Sequence, residues 1–422
     1  MSIFKAAPKL IREARPLVRL TERFGGAAAA DASANAFVLD ARRATAFADL
    51  SWVHEAAFRH SQCAAFRKPG GRVVVLRKSS ELLLGDPAAA AVSEGLVGFA
   101  KSLAQENGGR GATVNVLCDA STESDDGDAD ADACEAPLEW LLSHESTYVT
   151  GQELVAVQRP PATLTASETA MPAALVTGAA RGIGRATAEL LRRQHPACRL
   201  VLVDHPTARE SLAAVAAELD AASVAVDVTD AGAGEALAAM GVERGGFGAV
   251  LHAAGVTRDK TFGRMEATLW APVIDINLSA VCAIDTALLA VPGALSPLGA
   301  GFVCFGSTSG VAGNAGQSNY ATAKSGLMGY AKARGAALYG FACEEGAARH
   351  RFACVAPGFI VTEMTGQIPW LTRAIGSRLN SLGQGGTPED VAAAVAFLAS
   401  PRAAGLQPGS VLRVCGQFRG GR

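Results

Sequence analysis

The feature that most constrains this chain is a short apolar run that breaks into a glycine turn and then a helical pattern. Ala173 to Thr177 reads as a buried strand. Gly178, Gly182 and Gly184 follow, and a helix is expected from Arg185 to Arg193. A second apolar run, Arg199 to Val203, ends at Asp204, twenty residues after Gly184. A strand, a glycine turn, a helix and a strand make a parallel βαβ unit, because parallel neighbours need a crossover. The glycines let backbone approach a pyrophosphate, and the helix start offers it free N–H groups. The spacing has two residues more before its second glycine than the usual doubly wound fingerprint. Asp204 stands where a carboxylate would meet a ribose diol; a turn or cap residue is the other reading.

The alternation continues. Strands are expected at Ala222 to Thr229, Ala249 to Gly255, Gly301 to Phe305 and Phe352 to Thr362. Asn277 falls inside an apolar helical stretch, where it needs a hydrogen-bonding reason. The glycine- and serine-rich segment after Ser307 is expected as loop, with a helix from about Asn319. Tyr320 and Lys324 are four apart and share one helix face. An ammonium beside a phenol is expected to lower the phenol's pKa, as a general acid needs. Alone, this pair is weak, since chance produces it and a surface helix contact explains it. Here Gly178, Asp204, Gly255, Ser307 and Pro357 all fall at carboxyl ends of expected strands, where doubly wound sheets bind ligands.

Composition narrows the class. At 422 residues, two domains are the better expectation. A net charge of −2 gives no reason to expect nucleic acid or an anionic membrane as partner. Nine scattered cysteines without CxxC pairs read as reduced thiols in a reducing, cytoplasmic compartment, and no metal-ligand spacing appears. The longest apolar run, from about Thr286 to Phe305, is broken by Pro292 and Pro297 and does not read as a membrane span. Residues 1–20 are basic and lack the apolar core of a secretory signal. A basic surface helix is the favoured reading there, with an organelle transit peptide as the alternative.

Before Met171 the phosphate-type glycine turns are missing. Strands are expected at Ala36 to Asp40, Arg72 to Leu76 and Ala112 to Leu117, and a helix at Glu94 to Glu106. The acidic run from Asp119 to Asp132 fails the calcium-loop pattern and reads as a solvated loop. Glu94–Lys101 matches Ser325–Lys332 at an offset of 231, which puts Ala89 against Tyr320 and Ser93 against Lys324. Thr147 to Ala156 likewise echoes Gln407 to Val414. Residues 1–158 therefore read as a truncated second copy without the catalytic pair, with chance likeness of two amphipathic helices as the alternative. Residues 159–171 read as a Pro/Thr/Ser linker, and 172–422 as the nucleotide-binding domain.

Together, Thr177 to Gly184, Asn277, Ser307, Tyr320-x-x-x-Lys324 and Pro357-Gly358 resemble the short-chain dehydrogenase/reductase family. Ser307 precedes Tyr320 by thirteen, the spacing usual there. Val256–Lys260, Gly313–Tyr320 and Ala356–Thr365 resemble 3-oxoacyl-acyl-carrier-protein reductases. Arg378–Gly386 and Leu412–Gln417 resemble that group's high-molecular-weight subclass. The resemblance implies a Rossmann-like, doubly wound parallel α/β sheet preceded by a smaller degenerate domain described as flavodoxin-like. It implies catalytic roles for Asn277, Ser307, Tyr320 and Lys324. The cofactor would be held by Gly178, Arg181, Gly182, Ile183, Gly184, Asp204, Asp227, Val228, Ala254 and Gly255. Tyr320, Lys324, Pro357, Gly358, Ile360 and Thr362 would complete that set. NADH is favoured over NADPH because Asp204 suits a free diol. The implied substrate is a 3-oxoacyl thioester on acyl-carrier protein or CoA, and the implied assembly a homodimer or homotetramer. Acetoacetyl-CoA reduction, other alcohol oxidation, or a nucleotide-sensing subunit without turnover are the alternatives. The sequence departs from the family at His252-Ala-Ala-Gly255, where Asn-Asn-Ala-Gly is usual, and in a longer segment from Lys332 to Gly358. There the helix pattern is expected to fail from about Gly335.

Overall fold

A computed structural model of the chain describes residue 10 and residues 19–23, 31–121, 133–157, 171–341, 350–362 and 379–418. Most of the acidic run, most of the linker and much of the longer segment before β11 lie outside these residues. The first half runs β1 (Arg19–Arg23), β2 (Ala36–Asp40), α1 (Asp49–His60), α2 (Ala64–Arg67), β3 (Arg72–Lys78), α3 (Pro87–Gly108), β4 (Thr113–Asp119), α4 (Glu135–Leu142) and β5 (Glu153–Ala156). The second runs β6 (Ala173–Thr177), α5 (Gly182–Gln194), β7 (Arg199–Asp204), α6 (Arg209–Glu218), β8 (Ala222–Ala225), α7 (Ala233–Glu243) and β9 (Ala249–His252). It continues through α8 (Ala267–Ile274), a π turn (Asp275–Ser279), α9 (Ala280–Ala290), β10 (Gly301–Phe305), α10 (Thr308–Ala312), α11 (Ser318–Phe341), β11 (Arg351–Pro357), α12 (Pro388–Ala399) and β12 (Val411–Val414).

The second half forms one parallel sheet in the order β12-β11-β10-β9-β6-β7-β8. Every residue of β6 and β10 is buried, as a strand covered on both faces requires. Strand order reverses between β6 and β9, the point at whose carboxyl ends a doubly wound sheet forms its crevice. Several expectations change in detail, among them β9, which ends at His252 rather than Gly255, and β11, which ends at Pro357 rather than Thr362. β8 stops at Ala225 rather than Thr229, because the Asp227 carboxylate accepts from the Thr229 amide and hydroxyl and turns the chain. The segment after Ser307 is not all loop: Ser307 Oγ caps α10 by accepting from the Ser309 amide. α11 runs through Gly335 to Phe341, beyond the point where the pattern weakens.

The first half is a five-stranded parallel sheet in the order β1-β2-β3-β4-β5. This is not the 2-1-3-4-5 order of a flavodoxin-like domain. It is the order β6-β9-β10-β11-β12 of the second sheet with β7 and β8 removed. The registers coincide. Arg72 stands between Ala36 and Thr113 as Gly301 stands between Ala249 and Arg351. Three residues further on, the outer strand joins through Val116 to Glu153 and through Cys354 to Val411. Helix faces correspond as well. α3 packs on Val73, Val75, Val114 and Val116, and α4 on the opposite face with Val74, Leu76 and Leu117. Likewise α11 packs on Cys304 and Cys354, while α12 lies across the sheet with α5. The repeat in the sequence is thus a repeat of architecture, with no counterparts of β7 and β8 among the described residues.

The two halves share one apolar core. Trp140 of α4 stacks on Phe397 of α12 with ring centroids 4.5 Å apart and 8° between planes. Ala156 bridges Leu406, and Gly416 donates to the Tyr148 carbonyl.

Candidate active site

Gly178, Gly182 and Gly184 make the turn into α5. A Cβ on Gly178 would stand 2.6 Å from the Ala254 nitrogen, and one on Gly184 2.1 Å from the Gly178 carbonyl oxygen. Backbone contact therefore excludes any larger side chain at both positions. Gly182 has φ +60 and open space beside it, a cradle at the α5 N-terminus where a phosphate fits. Ile183 follows on the first turn of α5, packed against the shared core. Asp204 at the end of β7 accepts from the Ala180 amide (2.9 Å) and from the His205 amide (2.8 Å). These bonds fit the turn-residue reading, and Asp204 stands at the carboxyl end of β7. Arg181 is exposed just before α5. On the next strand end, Asp227 is held below the usual carboxylate range by the Thr229 amide and hydroxyl, with His205 Nε2 3.4 Å from its Oδ2. Val228 follows it at the mouth of the crevice.

Across the switch point, Asn277 is fully buried in the π turn. Its Nδ2 donates to Val256 O and Val273 O, both at 2.9 Å. Its Oδ1 is buried with no partner among the described residues. A Cβ placed on Gly255 would stand 2.5 Å from that oxygen and 3.6 Å from Lys324 Nζ. A buried orphan acceptor beside a lysine marks a place for a water or an ammonium hydrogen. The π turn supplies the hydrogen-bonding reason that this Asn required: it aims Oδ1 inward while Nδ2 fixes the loop after β9.

Ser307, at the end of β10, lies near the Tyr320 phenol on the first turn of α11 and acts to lower its pKa. Burial pushes the Tyr320 phenol up to about 12, partly offset by Ser307 and reinforced by Asp259. The expected lowering by Lys324 is not what this arrangement gives. Lys324 Nζ lies over the Tyr320 ring, 5.5 Å from its centroid, rather than at the hydroxyl. Lys324 is itself brought down to about 8 by burial, partly offset by the thiols of Cys304 and Cys354. Desolvation is the largest cause of both shifts.

Pro357 and Gly358 close β11. Gly358 donates to Val414 O, and a Cβ on it would meet Cys415 at 2.6 Å. Ile360 is buried behind them and Thr362 is half-buried. The crevice thus brings Gly178, Asp204, Gly255, Asn277, Ser307, Tyr320, Lys324 and Pro357 to one end of one sheet.

Three supporting residues carry no role in the sequence reading. Asn319 is fully buried and donates to Arg258 O and Leu269 O, pinning the start of α11. Asp285 accepts from or shares a proton with His252 Nε2 at 2.7 Å, both buried. This pair fastens the end of β9 to α9, in place of the family's asparagine. Gln317 donates to Asp259 and so ties the loop after β9 to the residues before Tyr320. Only Asn319, a polar residue between a loop and a helix, offers a usable signal.

A family model described as enoyl-(acyl carrier protein) reductase matches residues 178–416, more than half of the chain. A solved structure from Brucella melitensis, described as a short-chain dehydrogenase/reductase, is similar with a TM-score of 0.53 and 28% identity. That match covers 59% of this chain and 98% of that one. The chain belongs to the short-chain dehydrogenase/reductase family. Among its relatives in that family is the 3-oxoacyl-[acyl-carrier-protein] reductase FabG of Vibrio harveyi, 37% identical over 246 residues. The match covers 58% of this chain and 95% of the relative. The FabG of Escherichia coli is 35% identical over the same length. The short-chain reductase protein NovJ of Streptomyces niveus is 33% identical over 258 residues. Membership makes the chain an oxidoreductase of the nicotinamide-dependent kind.

Proposed function

We propose that this chain reduces 3-oxoacyl thioesters, carried on acyl-carrier protein or CoA, to 3-hydroxyacyl thioesters. The observation that carries this reading is the convergence of Ser307, Tyr320, Lys324 and the orphan Asn277 Oδ1 beside the glycine turn. NADH is the proposed cofactor. The open space at Gly182, the carboxylate of Asp204 and the close backbone at Gly255 fit a dinucleotide, which supplies hydride when bound.

Gly178 to Gly184 would bind the pyrophosphate, Asp204 the adenosine ribose, and Asp227 and Val228 the adenine. Ala254 and Gly255 would line the middle of the dinucleotide. Pro357, Gly358, Ile360 and Thr362 would face the nicotinamide end. Ser307 Oγ spends a lone pair on the Ser309 amide, which leaves its proton to hydrogen-bond the substrate carbonyl as charge develops there. Tyr320 would hold its proton until that charge develops. An alkoxide is a stronger base than a phenolate, so transfer from Tyr320 runs downhill even with the phenol at about 12. Lys324 would orient the ribose hydroxyls next to Tyr320. Asn277 Oδ1 would anchor a water that returns a proton to Lys324.

We read residues 1–158 as a degenerate copy without catalytic residues, 159–171 as a linker and 172–422 as the reductase domain, in a cytoplasmic protein. A homodimer or homotetramer fits Ala267–Ala290, an apolar helix of whose most apolar stretch only 39% is buried in the single chain. The FabG names of the relatives support the thioester substrate. A spectrophotometric assay of acetoacetyl-CoA with NADH and with NADPH tests the reading. Oxidation of either cofactor that depends on the thioester is expected, and no turnover with either would overturn it.

A further inference from the structure

Tyr148 belongs to the first half of the chain, yet its phenol is hydrogen-bonded to the second. Its hydroxyl donates to Gln384 O at 2.8 Å and accepts from Asn380 Nδ2 at 3.1 Å. The residue is 1% exposed. Its ring lies so close to Gly386 that a Cβ there would stand 2.5 Å from Tyr148 Cε1. Gly386 is stitched to the segment after β11: its amide donates to Phe359 O at 3.0 Å, and Val361 donates to Gly386 O at 2.8 Å. That segment follows directly on Pro357 and Gly358. A continuous path of contacts therefore leads from the degenerate half to the strand end proposed to face the nicotinamide.

The path is particular to this half. At the offset of 258 that relates Glu153–Ala156 to Val411–Val414, the residue matching Tyr148 is Leu406, which has no hydroxyl. Leu406 is a buried apolar residue whose backbone bridges Ala156. The repeat is thus symmetric in architecture and asymmetric in chemistry at this point. A buried phenol bonded on both sides fixes the backbone it touches, because displacement leaves its partners unsatisfied.

We infer that Tyr148 is a positioning residue for Phe359 to Thr362, so that the degenerate half helps to hold the reactive end of the cofactor. The inference rests on the proposed assignment of Pro357 to Thr362 to the nicotinamide. Its consequence is selective: the adenosine end, held by Gly178 to Gly184, Asp204 and Asp227, is out of reach of Tyr148.

The test is binding of NADH and NADPH alongside ADP-ribose and its 2′-phosphate to the full chain, wild type and Tyr148→Phe, with thermal unfolding of both. In Tyr148→Phe the Kd of the favoured dinucleotide should rise roughly fivefold or more, that of the matching ADP-ribose less than about twofold. Equal affinity for the dinucleotide in both proteins would overturn the inference, as would equal weakening for both ligands. Asn380→Ala reaches the same bond from the other side. Combined with Tyr148→Phe it should weaken dinucleotide binding no further than the worse single change. Additive losses would show that Tyr148 acts elsewhere. Failure of wild type to bind any of the four ligands would overturn the functional reading itself, and the inference with it.

Discussion

Lys324 Nζ sits 5.5 Å from the centroid of the Tyr320 ring, and the burial that brings the two together moves their acidities in opposite directions. Tyr320 goes up to about 12 and Lys324 comes down to about 8. Of the two, only the ammonium is brought toward neutral pH, so the proposed role of Lys324 predicts the pH response of the free enzyme.

The first prediction concerns that response. Protonated Lys324 is the form proposed to orient the ribose and donate to the Asn277 water. kcat/KM for reduction reports the free enzyme, so it should be level below about pH 8 and decline above it as Lys324 loses its proton. In Lys324→Arg, any activity that remains should keep its level to higher pH, because guanidinium stays charged. An alkaline limb in the same place in both proteins would assign it to another group.

Tyr320→Phe removes the proton donor and little else. Dinucleotide affinity measured by fluorescence should stay within about threefold, while kcat falls at least a hundredfold, the order that general acid catalysis contributes. Lys324→Ala should damage both quantities. Retention of more than a few per cent of kcat in Tyr320→Phe would remove Tyr320 from its role.

Cofactor preference is predicted to turn on Asp204. Its two oxygens are oriented by the Ala180 and His205 amides, so it cannot swing away from the crevice as the exposed Arg181 can. Against a 2′-phosphate it offers no donor and a like charge. At ~4 Å and an effective dielectric near 20, one such pair costs roughly 4 kcal/mol. If a third of that survives, NADH should be preferred about tenfold in kcat/KM. Asp204→Ala should weaken the preference and Asp204→Arg reverse it. Better use of NADPH by wild type would place Asp204 away from the ribose.

Trp140 is fully buried against Phe397 across the two halves. Trp140→Ala should cost about 3–5 kcal/mol in denaturant unfolding. Because the halves share one core, the chain should unfold in a single transition. A loss below about 1 kcal/mol, or two separate transitions in wild type, would show that the halves stand independently.

Central parallel strands are legible in the amino-acid sequence because they are buried on both faces. Ala36–Asp40, Ala173–Thr177 and Gly301–Phe305 are uninterrupted apolar runs, and their bounds agree with expectation. The glycine turn is legible because contact with the loop after β9 leaves no room for a Cβ on Gly178. What stays hidden depends on partners distant in sequence or on local competition. α10 is masked by its glycines and serines, and its start rests on the cap that Ser307 provides. The end of β8 is decided by one Asp side chain. The acidity of Tyr320 runs opposite to expectation because helix spacing shows that Lys324 is near but not how deeply both are buried. The pairing of His252 with Asp285 spans 33 residues and has no pattern of its own.

The first sheet keeps its strands in unbroken sequence order, from β1 at one edge to β5 at the other. A crevice at the carboxyl ends forms where neighbouring connections leave in opposite directions, and that requires the order to reverse. Among the described residues the first sheet has no such reversal. Stoichiometry follows from this geometry. Titration with a dinucleotide should saturate at one equivalent per polypeptide of 422 residues, although the chain folds two sheets of one design.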